Sequence, residues 1–360
     1  MTISRELAEF ATGYGAGSFA VGRNRIINGD MRIDQRNAGA AVTASGSYPV
    51  DRFYIVNNTD GAFSAQQDSS APAGFVNSLK ITTTTADASL ASNQQINLQQ
   101  RIEGFNVADL GWGTANAKTV TLSFWVRSSL TGSFGGSLRN GASDRSYPFT
   151  YSISVADTWE YKTVTIAGDT SGTWLTTTGI GLHVHFGLGV GSTFSGTAGS
   201  WAASNYVSAT GATSVIGTLN ATWYITGVQL EEGTVATPFE RRPYGQELAL
   251  CQRYFMRVFE PNVDSQTMAT RDSATNFWIN IATPVSMRAA PSLTLTGGRC
   301  IAYDTSFNLA FPTISSAGIT TAGSNQYHIY FAISSTPASY VYMSYDTLGA
   351  SSPVTLSAEL

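Results

Sequence analysis

The stretch GIGLHVHFGLGVGS, Gly179 to Ser192, alternates with a period of two along its whole length. Ile180, Leu182, Val184, Phe186, Leu188 and Val190 fall on one side, and His183, His185 and glycines fall on the other. Successive side chains of an extended strand point to opposite faces, so this stretch has one face to bury and one polar face. Thr119 to Ser129, TVTLSFWVRSS, repeats the pattern: Val120, Leu122, Phe124 and Val126 on one face, Thr121, Ser123, Trp125 and Arg127 on the other. DRFYIVNN, NSLKITTTT, YKTVTIAG and ATWYITGVQL add further strands, punctuated by Gly, Asn, Asp and Ser. Amphipathic helices are almost absent, which excludes doubly wound α/β folds. The expected fold is all-β: a jelly-roll β-sandwich, then a short linker helix, then a second, smaller β-sandwich.

Composition agrees. Only 12% of the 360 residues are charged and 42% are hydrophobic, which argues against disorder, while 35 Gly and 11 Pro suit many short strands with tight turns. A net charge of −4 gives no basic footprint for nucleic acid. Cys251 and Cys300 are too few for a disulfide framework; they could pair with each other, but read first as buried free thiols. No apolar run is long enough to cross a membrane, and MTISRELAEF has no signal-peptide core.

Four segments are expected: 1–21 as an N-terminal attachment peptide, 22–239 as the jelly roll, 240–259 as a linker helix and 260–360 as the second sandwich. Helical spacing of Leu248, Cys251, Tyr254 and Phe255, with Pro243 ahead of them, predicts the helix. Glu231, Glu232, Glu240, Arg241, Arg242 and Glu247 gather in a charge-poor chain and predict salt links and caps at the joint between the sandwiches.

Signals for catalysis are poor. Glu231 and Glu232 are adjacent and point apart, whereas a glycosidase needs two carboxylates facing across a sugar. His183 and His185 share a strand face but lack further ligands for a metal, and read as solvated or hydrogen-bonded side chains. No nucleophile elbow, P-loop or dinucleotide fingerprint occurs, so no catalytic residue, metal or cofactor is expected. Aromatic residues offer more. Trp112, Trp174 and Trp201 lie in Gly/Ser/Thr-rich segments and are candidate stacking platforms for a sugar ring, while Trp125, Trp223 and Trp278 lie inside strands and read as packing residues.

The motifs NRIINGDMRIDQRNAG, YPVDRF, LQQRIEG, VTLSFWVRSSLTG, DTSGTW and ITGVQLEEGTVATPFERRPYGQELALCQRYF together resemble a recurring module of bacteriophage tail fibres. That module is in turn similar to the carbohydrate-binding jelly rolls attached to glycosidases. The resemblance covers roughly Arg23 to Phe255, and the ending VTLSAEL resembles small terminal β-domains of tail fibres. It implies a virion appendage without enzymatic activity that acts outside the host cell. It also implies a homotrimer with Leu248, Cys251 and Phe255 at the subunit contact, docking on other tail proteins through residues 1–20, and a bacterial surface polysaccharide as receptor. The competing readings are a purely structural tail component and a capsule-degrading tailspike, the latter lacking the expected β-helix repeat. In the sugar-binding jelly rolls an opening like INGD and an acidic pair on the closing strand hold calcium. Here Asp30 is present, but Thr226 and Gly227 stand where the pair would fall, so calcium is not expected.

Overall fold

The computed structural model describes residues 22–259 and, beyond them, 267–271, 276–295, 299–304, 309–310, 314–323, 325–333, 340–346 and 354–360. The chain forms two compact units, Met1–Arg242 and Pro243–Leu360. The expected attachment peptide lies outside the described residues.

The first unit is a jelly-roll sandwich. One sheet holds β1 (Ser47–Val50), β2 (Phe53–Asn57), β5 (Gln95–Glu103), β7 (Gly132–Arg139), β8 (Ser146–Ile153) and β10 (Ile180–Val190). The other holds β3 (Ala62–Asp68), β4 (Ser78–Thr85), β6 (Val120–Ser128), β9 (Glu160–Ile166) and β13 (Thr222–Glu232). Their spatial orders are β1-β2-β5-β10-β7-β8 and β3-β4-β13-β6-β9, and neighbouring strands run antiparallel. A short parallel pair, β11 (Ser195–Gly196) and β12 (Ser208–Ala209), completes the unit. The alternation read from the sequence decides the interior: Val120, Leu122, Phe124 and Val126 of β6 face Leu182, Val184, Phe186 and Leu188 of β10 in one core. Phe124 packs edge-on against Tyr151 and Phe186, with ring centroids 5.0 and 5.1 Å away.

The charged segment after β13 works inside this unit. Asn24 accepts the Leu230 amide (3.0 Å) and donates to Val228 O (3.1 Å), laying the entering chain along β13. The carboxylate of Glu240 accepts the amides of Gly22 (2.8 Å) and Asn24 (2.6 Å), and Arg242 donates to the carbonyls of Ile26 (3.1 Å) and Asn24. Glu231 is buried and accepts the amide and hydroxyl of Thr237, at 2.8 and 2.6 Å, while Glu232 pairs with Lys118 at 2.9 Å. These links correct the sequence reading in one respect. They lie within the first unit and clasp the two ends of the jelly roll together.

The second unit begins with α1 (Tyr244–Gln252), capped by Pro243. The helix is shorter than its apolar spacing suggested: Tyr254 and Phe255 lie beyond it, and Phe255 opens β14 (Phe255–Phe259). Further strands are β15 (Thr267–Arg271), β16 (Asn276–Ala282), β17 (Ser292–Thr294), β18 (Arg299–Asp304), β19 (Leu309–Ala310), β20 (Ile314–Gly323), β21 (Gln326–Ile333), β22 (Tyr340–Asp346) and β23 (Val354–Ser357). They form a three-stranded sheet, β14-β23-β17, and a seven-stranded sheet, β19-β18-β22-β15-β16-β21-β20. Phe277, Ile279 and Ile281 alternate inward from β16 onto Ile329, Phe331 and Val354. Cys251 and Phe255 are buried, and Leu248 is half-buried. The side chain of Cys300 lies outside the described residues. Among the described residues no helix is long and apolar enough to cross a membrane.

Candidate functional site

The outer face of the six-stranded sheet carries rows of polar side chains in register across β5, β10 and β7. Antiparallel register sets Arg101 of β5, His183 of β10 and Arg139 of β7 in one row across three adjacent strands. The next row is Tyr54, Gln99, His185 and Ser137, and the row after it contains Asn97, Gly187 and Gly135. Directly opposed residues of neighbouring strands stand about 4.5–5.5 Å apart, so these side chains form one continuous surface. The glycines have a local purpose. A Cβ on Gly187 would lie 2.5 Å from Ser208 Oγ, so only glycine lets β12 cover this end of the face.

The histidines of this polar strand face are not solvated. His183 and His185 are 4% and 1% exposed. Their Nδ1 atoms each lie 3.1 Å from an amide oxygen, Gln99 Oε1 and Asn97 Oδ1 respectively, and their rings stack with centroids 5.3 Å apart. Burial, reinforced by the positive charges of Arg139 and Arg101, holds both imidazoles well below their ordinary range, so they are neutral. Of the two sequence readings of these histidines, the hydrogen-bonded one describes them and the solvated one does not. Arg139 donates Nη1 to the exposed Asn205. Burial and the like charge of Arg101 push the Arg139 guanidinium down to about 10. Arg139 Nε, His185 Nε2 and Ser208 Oγ are buried without a hydrogen-bond partner among the described residues, as are Arg25 Nε and Arg127 Nε elsewhere in the jelly roll. Beside this row Arg101 lies over Tyr54 (4.3 Å), which contacts Tyr48 (centroids 5.0 Å apart).

The outer face of the five-stranded sheet differs. Phe75, Trp125, Tyr161, Phe239 and Arg241 line an open hollow of about 450 Å³. Trp125 and Tyr161 lie 5.4 Å apart, and Arg241 stacks on Phe75 at 4.7 Å. Gly227, at φ +61° in the β13 bulge, leaves room there for Phe75. Trp125, read from the sequence as a packing residue, therefore lines an open surface, whereas Trp223 is fully buried as expected.

The fold brings Trp112, Trp174 and Trp201 together from distant positions. Their rings meet edge to face, with centroids 4.7 Å apart for Trp112 and Trp174 and 5.4 Å for the other two pairs. Each indole N–H donates to a backbone carbonyl: Trp112 to Lys118 (2.7 Å), Trp174 to Ser171 (3.1 Å) and Trp201 to Ala167 (2.7 Å). A smaller cavity of about 170 Å³ lies beside Trp112 and Trp174. In the INGD opening, Asp30 is buried and paired with Arg32 at 2.5 Å.

No family model matches this chain, and no curated protein matches it. Solved structures do. A family-4 carbohydrate-binding module aligns at 15% identity and TM-score 0.31, over 57% of this chain and 98% of its own. A sugar-binding protein from Bacteroides thetaiotaomicron aligns at 14% and 0.31, over 58% and 100%. The xylan-binding domain of Xyn10C from Paenibacillus barcinonensis aligns at 10% and 0.27, over 56% and 99%.

The residues of these polar rows escaped the sequence reading. Asn97, Gln99 and Arg101 occupy alternate positions in QINLQQR, a signal for an outward polar row. That β5 and β7 flank β10 is a property of the topology, which local sequence does not carry.

Proposed function

We propose that the jelly roll binds a polysaccharide on the face of β5, β10 and β7, without cleaving it, as part of a bacteriophage tail fibre that attaches to a bacterial surface glycan. The observation that carries the glycan reading is this face: amide, imidazole and guanidinium groups are held in register beside Tyr54, the mixture of fixed polar groups and aromatic surface that sugars require. The non-catalytic reading is supported by Glu231, whose carboxylate is occupied by Thr237 and Gln229. The tail-fibre assignment, the virion location, docking through residues 1–20 and the homotrimer contact at Leu248, Cys251 and Phe255 rest on the resemblance of the sequence motifs.

Incubation of the full chain with purified bacterial surface polysaccharides tests the reading. Retention without release of reducing ends is expected, release would make the protein a depolymerase, and neither would leave a structural tail part. Light scattering addresses the assembly: a mass of three chains that falls on Leu248→Asp is expected, and a monomer or an unchanged trimer counts against the contact.

A further inference from the structure

We propose that the hollow on the five-stranded sheet docks an extended segment of a partner protein. That segment seats an apolar side chain among the rings and sets an Asp or Glu carboxylate against Arg241. The site lies on the sheet opposite the glycan-binding face and does not depend on that reading.

The first observation is an open way in. The hollow of about 450 Å³ is lined by Phe75, Trp125 and Phe239, which are half-buried, and by Tyr161, which is 43% exposed. A Cβ on Gly227 would lie 2.7 Å from the Phe75 ring and 3.2 Å from that of Trp125, so glycine lets the two rings meet over β13. Two more apolar side chains stand in solvent beside lining residues. Val76, next to Phe75, is 69% exposed, and Val235, next to Ala236, is 72% exposed. Soluble proteins rarely leave apolar surface gathered in one place unless something binds there.

The second observation is the chemistry of the walls. Among the described residues the lining holds no amide, imidazole or carboxylate side chain. A sugar needs such groups to fix its hydroxyls, and the polar rows of the other sheet supply them. Phe, Trp, Tyr and Arg are instead the residues that concentrate at protein–protein contacts. Arg241 then sets the charge of the partner. Arg25, Arg36, Arg127 and Arg145 are half-buried and pair with Asp109, Asp51, Asp157 and Asp169 respectively. Arg241 is the one exposed arginine among the described residues of the jelly roll, and it has no ion pair among them. Its guanidinium lies over Phe75 and Phe239, 4.7 and 5.7 Å from the ring centroids, which holds its plane and leaves its N–H edge for a carboxylate. An acidic protein segment fits this better than an anionic lipid surface, which repels a chain of net charge −4.

The test selects a random linear peptide library on the immobilised full chain and titrates the enriched peptides, made synthetically, into the native chain and its variants. Enriched peptides are expected to carry an apolar residue beside an Asp or Glu. They should bind about tenfold more weakly, or worse, to Trp125→Ala and to Arg241→Gln, and equally well to Gln99→Ala on the other sheet. Arg241 is exposed, so Arg241→Gln should melt where the native chain does and carries the test even if Trp125→Ala fails to fold. No enriched peptide, enriched peptides without an acidic residue, or undiminished binding to Arg241→Gln overturns the proposal. Displacement of the peptides by a retained polysaccharide makes the hollow a glycan site and overturns it as well. A native mass in light scattering that falls in Arg241→Gln makes the hollow a contact between copies of this chain and overturns the separate partner.

Discussion

The tryptophan trio and the histidine–arginine face are built from opposite bonding states. Trp112, Trp174 and Trp201 interlock edge to face and spend every indole N–H on a backbone carbonyl. On that face Arg139 Nε, His185 Nε2 and Ser208 Oγ are buried with nothing to bond among the described residues. Burying a polar group without a partner costs about 1–3 kcal/mol.

That contrast breaks most easily at the trio. Trp112 is 8% exposed and touches both partner rings, so Trp112→Ala is expected to lower the unfolding free energy by about 3–5 kcal/mol in urea titrations. A loss below about 1 kcal/mol would mean the trio is not a structural plug, because large-to-small changes of this size are felt in a packed site.

The histidine–arginine face is sharpened by acid. His183 and His185 have folded-state values depressed below the ordinary 6.5, so the unfolded chain binds more protons below that pH. Their contribution is complete above 6.5 and is lost as the pH falls below it, by about 1.4 kcal/mol per pH unit for each histidine. Melting curves between pH 7 and pH 5 should therefore fall steeply in the native chain and less steeply in a His183→Gln, His185→Gln variant. Equal slopes would show that the imidazoles are not held neutral.

The smallest expected effect is on the opposite sheet. Tyr161 is 43% exposed and Trp125 borders the open hollow, so Trp125→Ala should change stability by about 1 kcal/mol or less. A larger loss would make the hollow part of the core.

Much of this was legible in the sequence. The alternation in Thr119 to Ser129 and Gly179 to Ser192 placed β6, β10 and their buried faces, because a period of two admits only one side to the core. The three loop tryptophans were recognised as unusual, but their meeting depends on chain paths that bring residues 112, 174 and 201 to one place. Membership of a strand does not say which of its faces stays open, so sequence alone does not separate Trp125, which lines the hollow, from the buried Trp223. The charges from Glu231 to Arg242 were noticed for the right reason, scarcity, and placed at a joint because their partners Gly22, Asn24 and Ile26 lie some two hundred residues earlier. Likewise the row Arg101–His183–Arg139 exists only once β5, β10 and β7 are neighbours.

The most direct test of the account is to titrate a retained bacterial polysaccharide into the full chain, comparing Gln99→Ala in the polar rows with Trp125→Ala in the hollow. The account predicts that Gln99→Ala weakens binding at least tenfold while Trp125→Ala leaves it unchanged. The reverse result would put the glycan on the five-stranded sheet and contradict the assignment of the polar rows.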